Sequence, residues 1–263
     1  QGATDKQVVT LKNLNASVSQ SLTKTVLEGA SNPSLLTQPA TLRYTLTPTV
    51  NNDYPLDSFV LTDTGLTAKN GTTDLAFGEY LKDKYTVAGI LVGKATHKTD
   101  NYADGDFPIQ ATVTFYNFND QQIKAETVDV SKENQLVTLS STTKAKYVTV
   151  EYSSPEFEKA TGYALGQNFT PGQLIVRIVM DKQDGGEAVQ AITEVTNTAR
   201  TDLGYRKWST TGVQQENPTP NTQTSSAKNT FGALETAIVS VDKDCNTGTL
   251  ALDGGVATYT VTI

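Results

Sequence analysis

Short runs of alternating apolar and polar residues recur along this chain, and a period of two is that of a β-strand with one buried face. Turn-forming residues separate the runs, and no long amphipathic helical period occurs. Many short strands joined by turns predict an all-β sandwich. The expected strands cover residues 16–26, 41–47, 59–63, 85–92, 109–118, 135–139, 147–152, 173–180 and 191–199. The most apolar run, 174–180, is expected at the centre of a sheet.

The composition favours a protein that works outside the cell. Hydrophobic residues make up 37% and charged residues 19%, and threonine, serine, asparagine and glutamine fill the difference. The formal net charge is −7 without a basic cluster, which argues against nucleic acid and anionic membrane surfaces as partners. Cys245 is the only cysteine, so an internal disulfide is impossible and the fold must be held together in another way.

The distribution of turns and polar residues predicts four segments. Residues 1–13 are a lead-in strand or an artificial arm, and residues 14–208 form the sandwich. Residues 209–230 are rich in threonine, glutamine, asparagine, serine and proline, which predicts a linker. Residues 231–263 are expected to begin a second β module that is cut off after its first strands.

That second module follows the order of residues 16–47. In both places an alternating run ends in a lysine, a loop follows, and a Tyr-Thr-aliphatic-Thr strand comes next. This weak repeat predicts a tandem array in which neighbouring repeats of the same polypeptide are partners. Lys243 takes the place of Lys24 and is expected to be unreacted, because its partners would lie beyond Ile263.

Three polar residues lie on the apolar faces of predicted strands: Lys24, Asp63 and Asn197. Burial lowers the pKa of a lysine amine and raises the pKa of a carboxyl group, so a neutral amine can lie beside a protonated acid. Such an acid can polarise a carboxamide and move protons while ammonia leaves. The product is an amide between two side chains, and its formation needs proximity, orientation and a dry site.

Each of these residues also has an ordinary structural explanation. A lysine on an edge strand is usually solvated at its tip, an aspartate before Thr-Gly usually caps a turn, and the asparagine could bond a loop backbone. Together, in this order along the chain, the three favour the covalent interpretation. The acid has alternatives in Glu79, Glu151 and Glu194, although strand alternation points Glu194 away from Asn197.

Four short segments carry these residues: Leu-Thr-Lys-Thr-Val at 22–26, Tyr-Thr-Leu-Thr at 44–47, Val-Leu-Thr-Asp-Thr at 60–64 and Val-Thr-Asn-Thr-Ala at 195–199. In their order, this set resembles the isopeptide-forming domains of Gram-positive surface adhesins and pilin backbone subunits. The resemblance implies an Ig-like sandwich with the lysine on its first strand, the asparagine on its last, and a catalytic Asp63 between them. It also implies a non-enzymatic stalk module, extracellular and attached to the cell wall through other parts of the parent protein.

A second hypothesis is a sandwich without a cross-link that binds a carbohydrate or a host protein, with residues 65–108 forming the ligand surface. The one histidine, His97, lies in a polar loop where it is expected to be solvated, and the acidic stretch 100–106 lacks the spacing of a calcium loop. No carboxylate pair or nucleophile arrangement indicates an enzyme, and no metal or cofactor is predicted.

Overall fold

The computed structural model describes residues 16–27, 34–36, 38–183, 192–208, 213–232, 242–245 and 259–262, the last two ranges by their backbone alone. The chain divides into two compact units, Gln1–Gly232 and Ala233–Ile263. The first unit contains all the side chains discussed below. The arm predicted for residues 1–13 lies outside the described residues.

Antiparallel strands make up most of the first unit. In chain order they are β1 (Val18–Val26), β2 (Ala40–Asn52), β3 (Ser58–Asn70), β4 (Thr73–Asp74), β5 (Tyr85–Val92), β6 (Thr96–Lys98), β7 (Gln110–Tyr116), β8 (Gln122–Asp129), β9 (Gln135–Thr138), β10 (Tyr147–Ser153), β11 (Gln167–Thr170), β12 (Leu174–Met180), β13 (Glu194–Tyr205) and β14 (Thr219–Thr230). Short helices lie between some of them, α1 at Phe77–Tyr80 and α2 at Pro155–Thr161.

One sheet has the strand order β1-β2-β12-β5-β9, with every neighbouring pair antiparallel. β12 lies at its centre, which confirms the position predicted for the most apolar run. Alternate residues of β12, from Leu174 to Met180, are buried, because one face meets the core while β2 and β5 satisfy the backbone on both sides.

The other sheet has the order β14-β13-β3-β10-β7-β8, also antiparallel, with β4 beside β3. Side chains from both sheets form one buried core. Within it the rings of Phe59, Tyr152 and Phe169 pack at centroid distances of 5.3, 5.6 and 5.7 Å. Two layers of antiparallel strands around a shared core form an all-β sandwich, as predicted.

β3 contains a bulge that sets which of its side chains face the core. Before the bulge, Asp63 lies opposite Ala199 of β13. Beyond it, Leu66 lies opposite Asn197. Gly65, inside the bulge, has a φ of +89°, the left-handed region that favours glycine. The bulge thereby holds two inward-facing polar residues, Asp63 and Asn197, at neighbouring positions of adjacent strands.

The linker prediction is wrong for residues 219–230, which form β14 and pair with all of β13. Most of its side chains are polar, and those of Ala227 and Asn229 are buried. A strand at the end of a sheet can keep one face in water and still be held by its backbone ladder, so a polar composition does not exclude it. The predicted domain end at residue 208 is therefore too early, and the first unit ends at Gly232.

β14 also lies against β1 of the opposite sheet. The backbone N–H of Lys24 donates to Ser225 Oγ at 3.0 Å, and Gln20 Nε2 donates to the carbonyl of Asn221 at 2.6 Å. From Gln20 to Lys24 the partner on β14 moves from Asn221 to Ser225. The residue numbers increase together on both strands, so β1 and β14 run parallel. The contact joins the two sheets beside Lys24.

The predicted second module, residues 231–263, falls mostly outside the described residues. Within the second unit, β15 (Asp242–Cys245) pairs antiparallel with β16 (Tyr259–Thr262). In the first unit, residues 65–108, the proposed ligand surface of the second hypothesis, include part of β3 and all of β5. A ligand for that region stays a prediction.

Two shortened chains separate the role of β14 from that of the second unit. A chain that ends at Gly232 retains β14, and we expect it to keep the unfolding temperature of the first unit. A chain that ends at Trp208 loses the β14 ladder and the buried Phe231, whose burial contributes about 2–3 kcal/mol. We expect it to unfold about 5–10 °C lower in a circular dichroism melt. Equal unfolding temperatures would contradict the place of β14 in the sandwich.

Candidate cross-link site

The side chains of Lys24, Asp63 and Asn197 meet in the core. Lys24 Nζ lies 2.5 Å from Asp63 Oδ2, and both side chains are inaccessible to solvent. Asn197 Nδ2 donates to the other carboxylate oxygen, Asp63 Oδ1, at 2.8 Å. The structure thus brings together the three residues that the alternation pattern selects, with the aspartate between the amine and the carboxamide.

The strands that carry these residues belong to different sheets. Lys24 comes from β1, where it is the one fully buried side chain of an otherwise half-exposed alternating strand. Asp63 and Asn197 come from β3 and β13, which are hydrogen-bonded neighbours in the facing sheet. A covalent bond between Lys24 and Asn197 would therefore join the two sheets through the core.

The backbone of Gly65 orients the carboxamide. Asn197 Nδ2 donates a second hydrogen bond, to the carbonyl oxygen of Gly65 at 2.8 Å. Because a carbonyl oxygen can only accept, the nitrogen of the carboxamide must face this side. Asn197 Oδ1 then points elsewhere in the core and has no hydrogen-bond partner among the described residues. The two bonds hold the nitrogen that would leave as ammonia against the carboxylate of Asp63.

Burial is the main influence on the amine. It lowers the pKa of Lys24 from 10.5, while the charge of Asp63 and the hydrogen bond to it act in the opposite direction without cancelling the effect. The ring of Tyr44 lies beneath the amine, with its centroid 5.1 Å from Lys24 Nζ. Burial, and secondly the charge of Asp63, raises the pKa of the Tyr44 phenol, which keeps it protonated. The site therefore makes the amine of Lys24 easier to deprotonate than that of a solvated lysine.

The alternative acids lie elsewhere. Glu79 in α1 and Glu151 in β10 are exposed. Glu194 is half-buried and forms an ion pair with Lys228 at 3.1 Å. Among the described carboxylates, Asp63 is the one that contacts both candidate partners, so it is the best-placed acid.

Three contributors to the site were missed from the sequence. The sequence around Gly65 predicts a turn, whereas this residue supplies the bulge and the carbonyl that orients Asn197. Ser225 lies in the predicted linker, whereas its hydroxyl accepts from the backbone of Lys24. Tyr44 carried no sign of a role beyond its place on an apolar strand face. In the sequence, the bulge is indicated only by the Thr-Gly pair that follows the inward-facing Asp63.

The prediction of a solvated His97 is wrong. It is half-buried, its Nδ1 accepts from the backbone N–H of Gly166 at 2.9 Å, and its Nε2 donates to the carbonyl of Phe107 at 2.9 Å. Burial lowers its pKa, with the bond to Phe107 acting in the opposite direction. A neutral ring that bridges two loops explains its position. In the described ranges, no three His, Cys, Asp or Glu side chains converge as a metal site would require.

No described helix combines the length and the apolar character needed to cross a bilayer.

Comparisons with known proteins do not assign a family. No family model matches the chain, and no curated protein matches it. The solved structures that match include one described as the B domain of a biofilm-associated protein, with a TM-score of 0.23 and 11% sequence identity. The match covers 84% of this chain and 45% of that structure, so this chain spans less than half of its length.

Replacing Gly65 tests the bulge that orients Asn197. A Cβ at this position would lie 2.5 Å from Tyr85 Oη and 2.8 Å from the carbonyl of Lys146, on a backbone with φ +89°. We expect Gly65→Ala to lower the free energy of unfolding by at least about 2 kcal/mol, measured by urea denaturation. Gly78→Ala is the control, because its Cβ would meet nothing within 4 Å. Equal denaturation midpoints for the two variants would contradict the role given to the bulge.

Proposed function

We propose that this chain is a structural module of a bacterial surface adhesin or pilin, stabilised by an intramolecular isopeptide bond between Lys24 and Asn197. The observation that carries the proposal is the buried triad, in which Asp63 is hydrogen-bonded to both the amine and the carboxamide. Lysine and aspartate are almost never fully buried unless they are paired, and a buried group with a shifted pKa, such as Lys24, is a candidate for a functional role.

The reaction needs no cofactor. Lys24 transfers a proton to Asp63 through their short contact, which leaves a neutral amine and a protonated acid. The amine nitrogen attacks Cγ of Asn197 and gives a tetrahedral intermediate. Asp63 supports this step as a proton donor, and protons pass through it from the attacking nitrogen to the leaving one. The C–N bond to Nδ2 then breaks, one ammonia leaves, and an amide joins the two side chains.

The core supplies the three conditions that this reaction requires. The strands hold the amine and the carboxamide against the same carboxylate, which replaces a collision between separate molecules. The bulge at Gly65 orients the carboxamide. Burial lowers the pKa of the Lys24 amine, and the absence of solvent at Lys24 and Asp63 excludes hydrolysis of the intermediate. The protein would thus act once, on itself, and is proposed not to be an enzyme with an external substrate.

The bond would restrain the unfolded chain strongly. Asp63 lies 39 residues after Lys24 and 134 residues before Asn197, so the cross-link closes a long loop. The chain-entropy estimate for a loop of this order is about 5 kcal/mol. That is comparable to the whole stability of a modest domain. For an extracellular chain with one cysteine, the bond would take the place of disulfides.

Composition and the proposed cross-link together suit the surface of a bacterial cell. The chain is acidic and rich in uncharged polar residues, and it offers no basic cluster for nucleic acid or anionic lipid. We propose that it lies in a tandem array whose neighbouring repeats are its partners, extracellular and anchored to the cell wall by the rest of its parent polypeptide. A host or matrix ligand for that polypeptide is a further possibility that a binding array can test.

Intact mass tests the proposal. We expect the folded parent protein to be lighter than its sequence by one ammonia, and we expect Asn197→Ala and Asp63→Ala to show their full sequence masses. The control is essential because Gln1 can also lose ammonia by cyclising at the amino terminus. Both variants keep Gln1, so a loss confined to the parent assigns the missing ammonia to the triad. A parent at full mass would contradict the proposal.

A further inference from the structure

The hydroxyl group of Tyr44 is an unused polar group beside the triad. Tyr44 lies in β2 opposite Val26 of β1, and its side chain is completely buried. Its Oη has no hydrogen-bond partner among the described residues. A buried hydroxyl without a partner costs free energy, so such a group calls for an explanation.

A second unpartnered atom lies at the same site. Asn197 Oδ1 is buried and, within the described part of the chain, accepts no hydrogen bond, although Nδ2 of the same carboxamide makes two. The site therefore contains a donor without an acceptor and an acceptor without a donor. Both belong to side chains that surround Lys24 and Asp63, since the Tyr44 ring centroid is 5.1 Å from Lys24 Nζ.

The acceptor is the atom on which charge develops in the proposed reaction. When the Lys24 amine attacks Cγ of Asn197, the carbonyl bond opens and Oδ1 takes up negative charge until ammonia leaves. A donor that meets this oxygen in the transition state, but not before, accelerates the reaction without stabilising the starting state. The phenol of Tyr44 stays protonated in this environment, because its burial and the nearby Asp63 both raise its pKa.

We infer that Tyr44 promotes formation of the Lys24–Asn197 bond by donating a hydrogen bond from its hydroxyl to Asn197 Oδ1 as the carbon becomes tetrahedral. The inference rests on the proposed function. The transfer of protons through Asp63 is unchanged, and the hydroxyl of Tyr44 keeps its own proton throughout. Its ring has a separate role, as the surface on which the lysine amine lies.

Tyr85 is the other tyrosine whose pKa is raised by burial and in part by the charge of Asp63, and its hydroxyl already has hydrogen-bond partners. Its Oη donates to the carbonyl of Lys146 at 3.0 Å and accepts from the backbone N–H of Leu66 at 3.3 Å. These bonds hold the bulge of β3. Tyr85 is thus a structural residue, and the free donor at the site is Tyr44.

The experiment compares two substitutions that each remove one buried, unpartnered hydroxyl. Tyr44→Phe removes the proposed donor. Tyr152→Phe is the matched control, because Tyr152 is equally buried and its Oη is also unpartnered within the described residues, whereas its pKa is raised by burial alone and not by Asp63. Each full-length chain is made by cell-free synthesis and quenched in acidic denaturant at successive times. Intact mass then gives the fraction that has lost ammonia, with Asn197→Ala as the baseline.

We expect Tyr44→Phe to slow the loss of ammonia at least about tenfold, in line with the loss of a single donor to a developing oxyanion, and Tyr152→Phe to match the parent. Equal rates for Tyr44→Phe and the parent, or equal slowing by both substitutions, would overturn the inference and leave the cross-link intact. A parent that loses no ammonia beyond the baseline would overturn the cross-link and the inference together.

A melt separates a chemical role from a structural one. In the Asn197→Ala background no bond can form, and we expect adding Tyr44→Phe or Tyr152→Phe to leave the unfolding temperature similar in both cases. A large decrease confined to Tyr44→Phe would overturn the inference, because the hydroxyl would then support the fold.

Discussion

A lysine and an aspartate in contact at the centre of a β-sandwich impose the main constraint on this protein. Moving both charged groups out of water costs several kcal/mol per ion, and their attraction offsets this only with good geometry and further hydrogen bonds. The remaining features of the site supply that geometry. The bulge at Gly65 orients the carboxamide against Asp63, the Tyr44 ring lies against the amine, and Ser225 of β14 binds the backbone of Lys24. If the amine of Lys24 reacts with Asn197, its positive charge disappears and the constraint becomes a covalent bond.

The strand topology determines how such a bond would resist a pulling force. β1 and β14 are the outermost described strands of the first unit in chain order, and they run parallel. A force that pulls their far ends in opposite directions therefore acts along the strands and loads the contacts between them in shear. The proposed bond ties β1 to β13 and so protects every strand between them. β14 lies outside the cross-linked loop and depends on its twelve-residue ladder to β13. It is the element that an extending force would release first.

The sequence predicts the inner face of this protein better than its edges. Strand alternation places Lys24, Asp63 and Asn197 in the core because side-chain direction along a strand has a strict period of two. The convergence of the three could be expected from their resemblance to known cross-linked domains, and not from the period itself. The bulge is hidden because Thr-Gly after an acid is the same local signal as a turn. β14 is hidden because a strand with one face in water needs few apolar residues, and its stability comes from backbone pairing with β13. His97 is fixed by backbone groups distant in sequence, which local composition does not reveal.

The central claim is that Lys24 and Asn197 are one covalent unit, and tandem mass spectrometry of a tryptic digest tests it most directly. Trypsin does not cleave after a lysine whose amine is acylated. The proposed bond predicts a branched peptide that joins the segment around Lys24 to the segment around Asn197, with no peptide ending at Lys24. Linear peptides that end at Lys24, together with an unmodified linear peptide containing Asn197, in the same yield as the other tryptic peptides, would contradict it.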